Sequence, residues 1–236
     1  MNSTQGFVRL IPFPRSRRAQ RLLLPASRLI DERLQGRAAY FNQVATEAFQ
    51  RGDVPEAGTQ FTRAMRLDPH CPVIPFNLAL LLQSEGHFEE AIPWYERSLR
   101  QFPDNSQARF NAGFCYRMVH RLADAEAAFR EGLRLEPRRA DILLVLGVTC
   151  NEQDDYEGAA RSFRRGLMVD PGNSTLRAYL GTTLKDLGDL EAAANELRRA
   201  LDLDPQNAYA KFNLAWVSRL QQEAAFKTLK AAEAAI

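Results

Sequence analysis

The sequence predicts an all-α chain, a right-handed superhelical solenoid of antiparallel helix pairs. Three observations predict it. Pro69, Pro103, Pro137, Pro171 and Pro205 stand 34 residues apart, each closing a segment such as "RLDP" or "RLEP". Three further columns keep that register: Ala57, Ala91, Ala125, Ala159 and Ala193; Phe61, Tyr95, Phe129, Phe163 and Leu197; and Ala45, Ala79, Gly113, Gly147 and Gly181. Finally, "GD" or "GH" pairs (Gly52-Asp53, Gly86-His87, Gly188-Asp189) fall midway between prolines, where a left-handed glycine turns the chain between two helices. A fixed period of this length is the signature of a stacked repeat, in which no single helix pair can bury its apolar face alone.

The elements follow in order. Residues 1–37 carry eight Arg against Asp31 and Glu32, so positive charge is concentrated in a chain whose formal net charge is only +2. Pro12, Pro14 and Pro25 oppose regular structure, so residues 1–25 read as a basic, disordered arm. The spacing of Leu29, Arg33 and Leu34 predicts a lead-in helix over 26–37. Five repeats then occupy 38–71, 72–105, 106–139, 140–173 and 174–207. In the last of them Leu180, Gly181 and Leu184 share one face of the first helix, helix A. Ala193, Leu197, Ala200 and Leu201 share one face of the second, helix B. Each repeat-closing Pro ends helix B. Pro55 is tolerated in a first turn. Pro93 lies further in, so the second helix B is expected to start late or bend. After Lys211 the pattern fades, and 208–236 read as a partial sixth repeat and a C-terminal capping helix.

These columns resemble the tetratricopeptide repeat (TPR) family, across about four-fifths of the chain. The resemblance implies a concave groove lined by positions 2, 5, 6, 9, 12 and 13 of each helix A, which binds an extended peptide or a partner helix. The groove residues it points to here are Phe76, Asn77, Leu80, Phe110, Asn111, Phe114, Arg117, Leu144 and Val148. Phe-Asn recurs at 76–77, 110–111 and 212–213. An Asn amide can donate to a peptide carbonyl and accept from its N–H, so Asn77 and Asn111 could read backbone beside apolar pockets. Equally, Asn can be an ordinary residue at this position and Phe can pack on the next helix A. The carboxylate-clamp subgroup needs Lys and Arg at positions 2, 5 and 6 and Asn at 9. The repeated Phe at position 5 argues against that specificity.

Chemistry-bearing motifs are missing from this sequence. Cys71, Cys115 and Cys150 form no CxxC and have no His at zinc-ligand spacing, and read as buried thiols. His70, His87 and His120 fall at junctions and turns, away from any nucleophile motif or phosphate-cradling glycine loop. No enzyme activity, cofactor, metal or small-molecule substrate is therefore expected. The cluster Arg15, Arg17, Arg18 and Arg21 has no interleaved aromatics, which argues against nucleic acid binding. No apolar run approaches the roughly 20 residues of a membrane span, and no secretory signal is apparent.

The expected function is that of a scaffold or adaptor for a protein partner, of the assembly-factor or co-chaperone type. A trans-acting regulatory or recruiting subunit of an enzyme such as a glycosyltransferase is the alternative. Arg supplies all but four of the 31 basic residues, which suggests a GC-rich bacterial genome and a cytoplasmic protein. In a eukaryote the arm would instead read as an organelle-targeting segment. A third use of the arm is self-association, with "LIPFP" docking in the groove of its own or a neighbouring chain.

Overall fold

A computed structural model describes residues 36–234. The arm expected at 1–25, its self-association, and all but the end of the lead-in helix at 26–37 lie outside the described residues. Eleven helices fill the described chain: α1 (Arg37–Arg51), α2 (Val54–Leu67), α3 (Val73–Ser84), α4 (Phe88–Gln101), α5 (Ser106–Met118), α6 (Leu122–Leu135), α7 (Ala140–Glu152), α8 (Tyr156–Val169), α9 (Ser174–Asp186), α10 (Leu190–Leu203) and α11 (Ala208–Ala234). They form about five antiparallel helix pairs plus a capping helix, an all-α array. The odd-numbered helices are the A helices and the even-numbered ones the B helices. Every B helix begins 34 residues after the one before it.

The chain divides into two compact units, between Cys115 and Tyr116. In the first, α1 packs on α2, α2 on α3, and α3 on α4, and α1 also touches α3. Its core holds Ala45, Ala57 and Phe61, and further along Val73 and Ile74. In the second, α6 through α11 each pack on their neighbours in the chain, and α9 additionally touches the A helices α7 and α11. The Gly and Phe columns explain the close approach. A Cβ built on Gly147 would collide with the Phe163 ring, and one on Gly181 would lie 2.7 Å from Leu197 Cγ. No larger residue fits there without displacing the aromatic or Leu that fills the interface.

The turns between paired helices show what the Gly-Asp signal encodes. Gly52, Gly86 and Gly188 take φ of 83°, 85° and 85°. In the two repeats where the sequence lacks a glycine, His120 and Asp154 occupy the same turn with φ of 59° and 60°. The next residue caps helix B where it is Asp. Asp53, Asp155 and Asp189 accept from the backbone N–H of Glu56, Gly158 and Ala192 at 3.2, 2.9 and 3.0 Å. His87 and Arg121 hold the same position without a side-chain cap.

Two helices bear on the sequence expectation. Of a late start or a bend in the second helix B, the late start does not occur: α4 begins at Phe88, in register with the other B helices, with Pro93 inside it. Its first-turn bond, Ala91 N–H to the His87 carbonyl at 3.0 Å, lies upstream of Pro93 and is intact. Pro93 removes one later donor only. At the other end, the sixth helix A does not turn. Gln222 stands where Gly188 stands one repeat earlier, within a run of good helix formers, and α11 continues unbroken for 27 residues. Among the described residues no helix is long and apolar enough to cross a membrane.

Candidate functional site

The A-helix face differs between the two units. In the first, Phe76, Asn77 and Leu80 of α3 and Asn111 of α5 are wholly buried, and Phe114 nearly so. Phe76 meets Tyr95 edge-on at 5.8 Å, and Phe114 meets Phe88 edge-on at 5.9 Å. Phe110 is half-buried. The Asn77 amide donates to Asn42 Oδ1 of α1 at 3.2 Å, so it bridges successive A helices. The Asn111 oxygen accepts from Gln107 Nε2 at 3.0 Å. The Tyr95 hydroxyl donates to Gln83 Oε1 at 2.5 Å. Burial pushes the Tyr95 phenol well above its ordinary range, with the Asn111 amide opposing the shift. Two amide atoms in this cluster, Asn77 Oδ1 and Gln83 Nε2, are buried with no partner in hydrogen-bonding geometry. Buried amides of this kind each cost about 1–3 kcal/mol. Asn77 therefore has a structural account, since its amide ties one A helix to the next, whereas Asn111 and Asn213 bond within their own helices.

In the second unit Leu144 is half-buried and Val148 is buried. Arg117 is 7% exposed, and its guanidinium already holds Glu152 in a bidentate pair at 2.9 and 2.8 Å. It is not open to a partner's carboxylate in this arrangement. The more accessible surface lies further along. Tyr179 of α9 stacks on Phe163 at 5.7 Å and meets Tyr209 of α11 at 4.9 Å. Phe212 and Trp216 follow on α11, 65% and 48% exposed and edge-on to one another at 6.1 Å. Lys185 Nζ sits 4.5 Å from the Trp216 ring, a cation–π contact, and pairs with Asp186 at 2.9 Å. Burial raises the Tyr179 phenol and lifts Tyr209 to about 12, the latter opposed by a hydrogen bond with Thr182.

Phe212, Trp216, Tyr179 and Lys185 occupy groove positions of the repeat numbering, so their register could be read from the sequence. Their exposure could not. Among the described residues no helix pair packs over these aromatics of α11.

The three cysteines are free and buried, and burial pushes the Cys115 and Cys150 thiols up to about 12 and 11. Thiols so poor in thiolate are weak nucleophiles. His87 and His120 are exposed at turns. Among the described residues no group of His, Cys, Asp and Glu could hold a metal ion.

Paired helices at a strict period, with small residues at the crossings, define a helical-repeat scaffold. The tetratricopeptide repeat model matches residues 48–109, 82–147 and 151–212, more than half of the sequence, and the chain belongs to that family. No curated protein matches the sequence. Among solved structures it is similar to MamA of Desulfovibrio magneticus RS-1, at 16% identity and a TM-score of 0.69, over 72% of this chain and 97% of that one. It is also similar to YrrB, described as a TPR protein with an unusual peptide-binding site, at 22% identity and a TM-score of 0.60, over 69% and 84% of the two chains. A thermophilic TPR protein of Thermus thermophilus aligns at 18% identity and a TM-score of 0.55, over 77% and 98%. At these identities the likeness is one of fold. The TPR fold is typically a non-enzymatic scaffold and implies protein partners.

Proposed function

We propose that this chain is a non-enzymatic adaptor that binds an extended or helical segment of a protein partner along its A helices, in the manner of an assembly factor or co-chaperone in the bacterial cytoplasm. The observation that carries the reading is the aromatic row Tyr179, Tyr209, Phe212 and Trp216, ending in two exposed rings. Aromatic side chains bury large areas at low entropic cost and are enriched where binding energy concentrates. The groove set drawn from the sequence enters the proposal through Phe110 and Leu144, its half-buried members. Phe76, Asn77, Leu80, Asn111, Phe114, Arg117 and Val148 act beneath the surface, holding the A helices in place.

The test is a pull-down with the full chain, a Phe212→Asp/Trp216→Asp variant and a Phe110→Asp/Asn111→Ala variant, each checked for helicity. The expected result is loss of the captured partner by the first variant at unchanged helical content. A partner retained by both variants overturns the reading. Recovery of a single enzyme whose activity changes on binding would instead assign the chain the role of a regulatory subunit.

A further inference from the structure

The B helices of the second unit carry a second feature. A cleft of about 410 Å³ opens between α6 and α8. Arg130 and Arg134 of α6 line one side, and Arg161 and Arg165 of α8 the other. Each pair is spaced i, i+4, which puts both guanidinium stems on one face of its helix. The floor is apolar, formed by Leu133, Leu146 and Cys150, all buried. Gly158 and Ser162 complete the wall, with the Ser162 hydroxyl donating to the Gly158 carbonyl at 2.9 Å.

The charge in this cleft is not balanced. Arg130 pairs with Glu126 and Arg134 with Glu131, both on α6. Asp155, near the cleft, is engaged in capping α8 through the Gly158 N–H. Arg161 and Arg165 form no ion pair or hydrogen bond among the described residues. No carboxylate lines the cleft itself. At its floor the Cys150 thiol is pushed up by burial and then by Glu126 and Asp155, and Arg130 and Arg161 from the two walls oppose that push. Two uncompensated, always-charged forks over an apolar floor match an anion of charge near −2 with oxygens arranged for bidentate contact. A phosphate monoester has that charge at neutral pH, whereas a single carboxylate would leave one fork unmet. The volume suits a compact ligand.

We propose that this cleft binds a phosphate monoester dianion, its phosphate held by Arg161 and Arg165 with Arg130 and Arg134 at the rim, and its apolar body lying on Leu133 and Leu146. The site binds and does not react, and it is separate from the aromatic row of α9 and α11.

The test uses the full chain and phenyl phosphate as probe, followed by calorimetry and by the arginine side-chain signals in heteronuclear spectra. Saturable binding is expected at low salt, weakened about tenfold or more in Arg161→Gln/Arg165→Gln, which removes both unpaired cations. Arg164→Gln, an exposed arginine of α8 outside the cleft, is expected to bind like the parent. Both are surface changes, and circular dichroism checks their fold. Absence of saturable binding, or equal loss in Arg164→Gln, overturns the site. Inorganic phosphate bound as tightly as phenyl phosphate overturns the role of the apolar floor, and benzoate bound as tightly overturns the preference for a dianion. A phosphotyrosine peptide that binds more tightly than phenyl phosphate assigns the ester to a partner's side chain. Equal or weaker binding assigns it to a free small molecule. Phe212→Asp/Trp216→Asp is expected to leave phenyl phosphate binding unchanged, so failure of this site and failure of the adaptor reading are told apart.

Discussion

The two units are built from the same repeat, yet their A helices use it differently. In the first, Phe76 and Leu80 are sealed and the amides of Asn42, Asn77 and Asn111 are buried, with an orphan oxygen among them. In the second, A-helix positions toward the C-terminus carry Tyr179 and Tyr209, partly buried, and Phe212 and Trp216, exposed. Their turns differ too, with glycine at 52 and 86 in the first and His120 and Asp154 left-handed alongside Gly188 in the second. Position in a repeat fixes where a side chain points. What lies beside that repeat decides whether the side chain holds the scaffold together or meets a partner.

The largest expected effect breaks the second unit's side of that comparison. Phe163 is fully buried and supports the Tyr179 ring. Phe163→Ala is expected to cost about 3–5 kcal/mol, read as a lower urea midpoint, and to weaken partner capture by releasing Tyr179. A smaller effect probes the first unit. Asn42→Ala removes the acceptor of the Asn77 amide and leaves a buried donor unmet. A loss of about 1–3 kcal/mol is expected, with partner capture unchanged because this amide row acts within the scaffold. The smallest would make the turns alike. His120→Gly relieves a left-handed non-glycine residue, for an expected gain of about 0.5 kcal/mol after the entropy glycine loses on folding. A decrease in melting temperature would show that the His120 side chain contributes more than its backbone costs.

Most of the fold could be read from the sequence, because each repeat declares itself in local terms. Proline ends a B helix, a glycine followed by Asp or His turns the chain, and the Ala, Phe and Gly columns set the crossings. Pro93 misled because a proline at the sixth residue of a helix costs one donor without moving the helix start. The long α11 was obscured because the missing turn is signalled by Gln222, a residue conspicuous only once aligned with Gly188. The candidate site was harder to read for a different reason. Register showed that Asn77 and Trp216 both stand at groove positions. Exposure depends on the neighbouring helix, and no property of either residue reports that. The arginine cleft was out of reach in the same way, since Arg130 and Arg161 stand in different repeats and only the packing of α6, α7 and α8 brings them to one floor.

The unbroken run of α11 past Gln222 has a consequence for how the chain breathes. Its first half is anchored by Ala210, Asn213 and Val217, and Gln221 still donates to the Leu190 carbonyl at 3.1 Å. Beyond that point every side chain through Glu233 is exposed. A helix without a buried face keeps only its intrinsic propensity, and a segment of a few turns is marginal on that alone. Amide protons should therefore stay protected up to about Gln221 and exchange with solvent deuterium progressively faster after it. Helix α11 would then carry a graded protection boundary, its second half forming and melting while the helices packed on its first half stay closed.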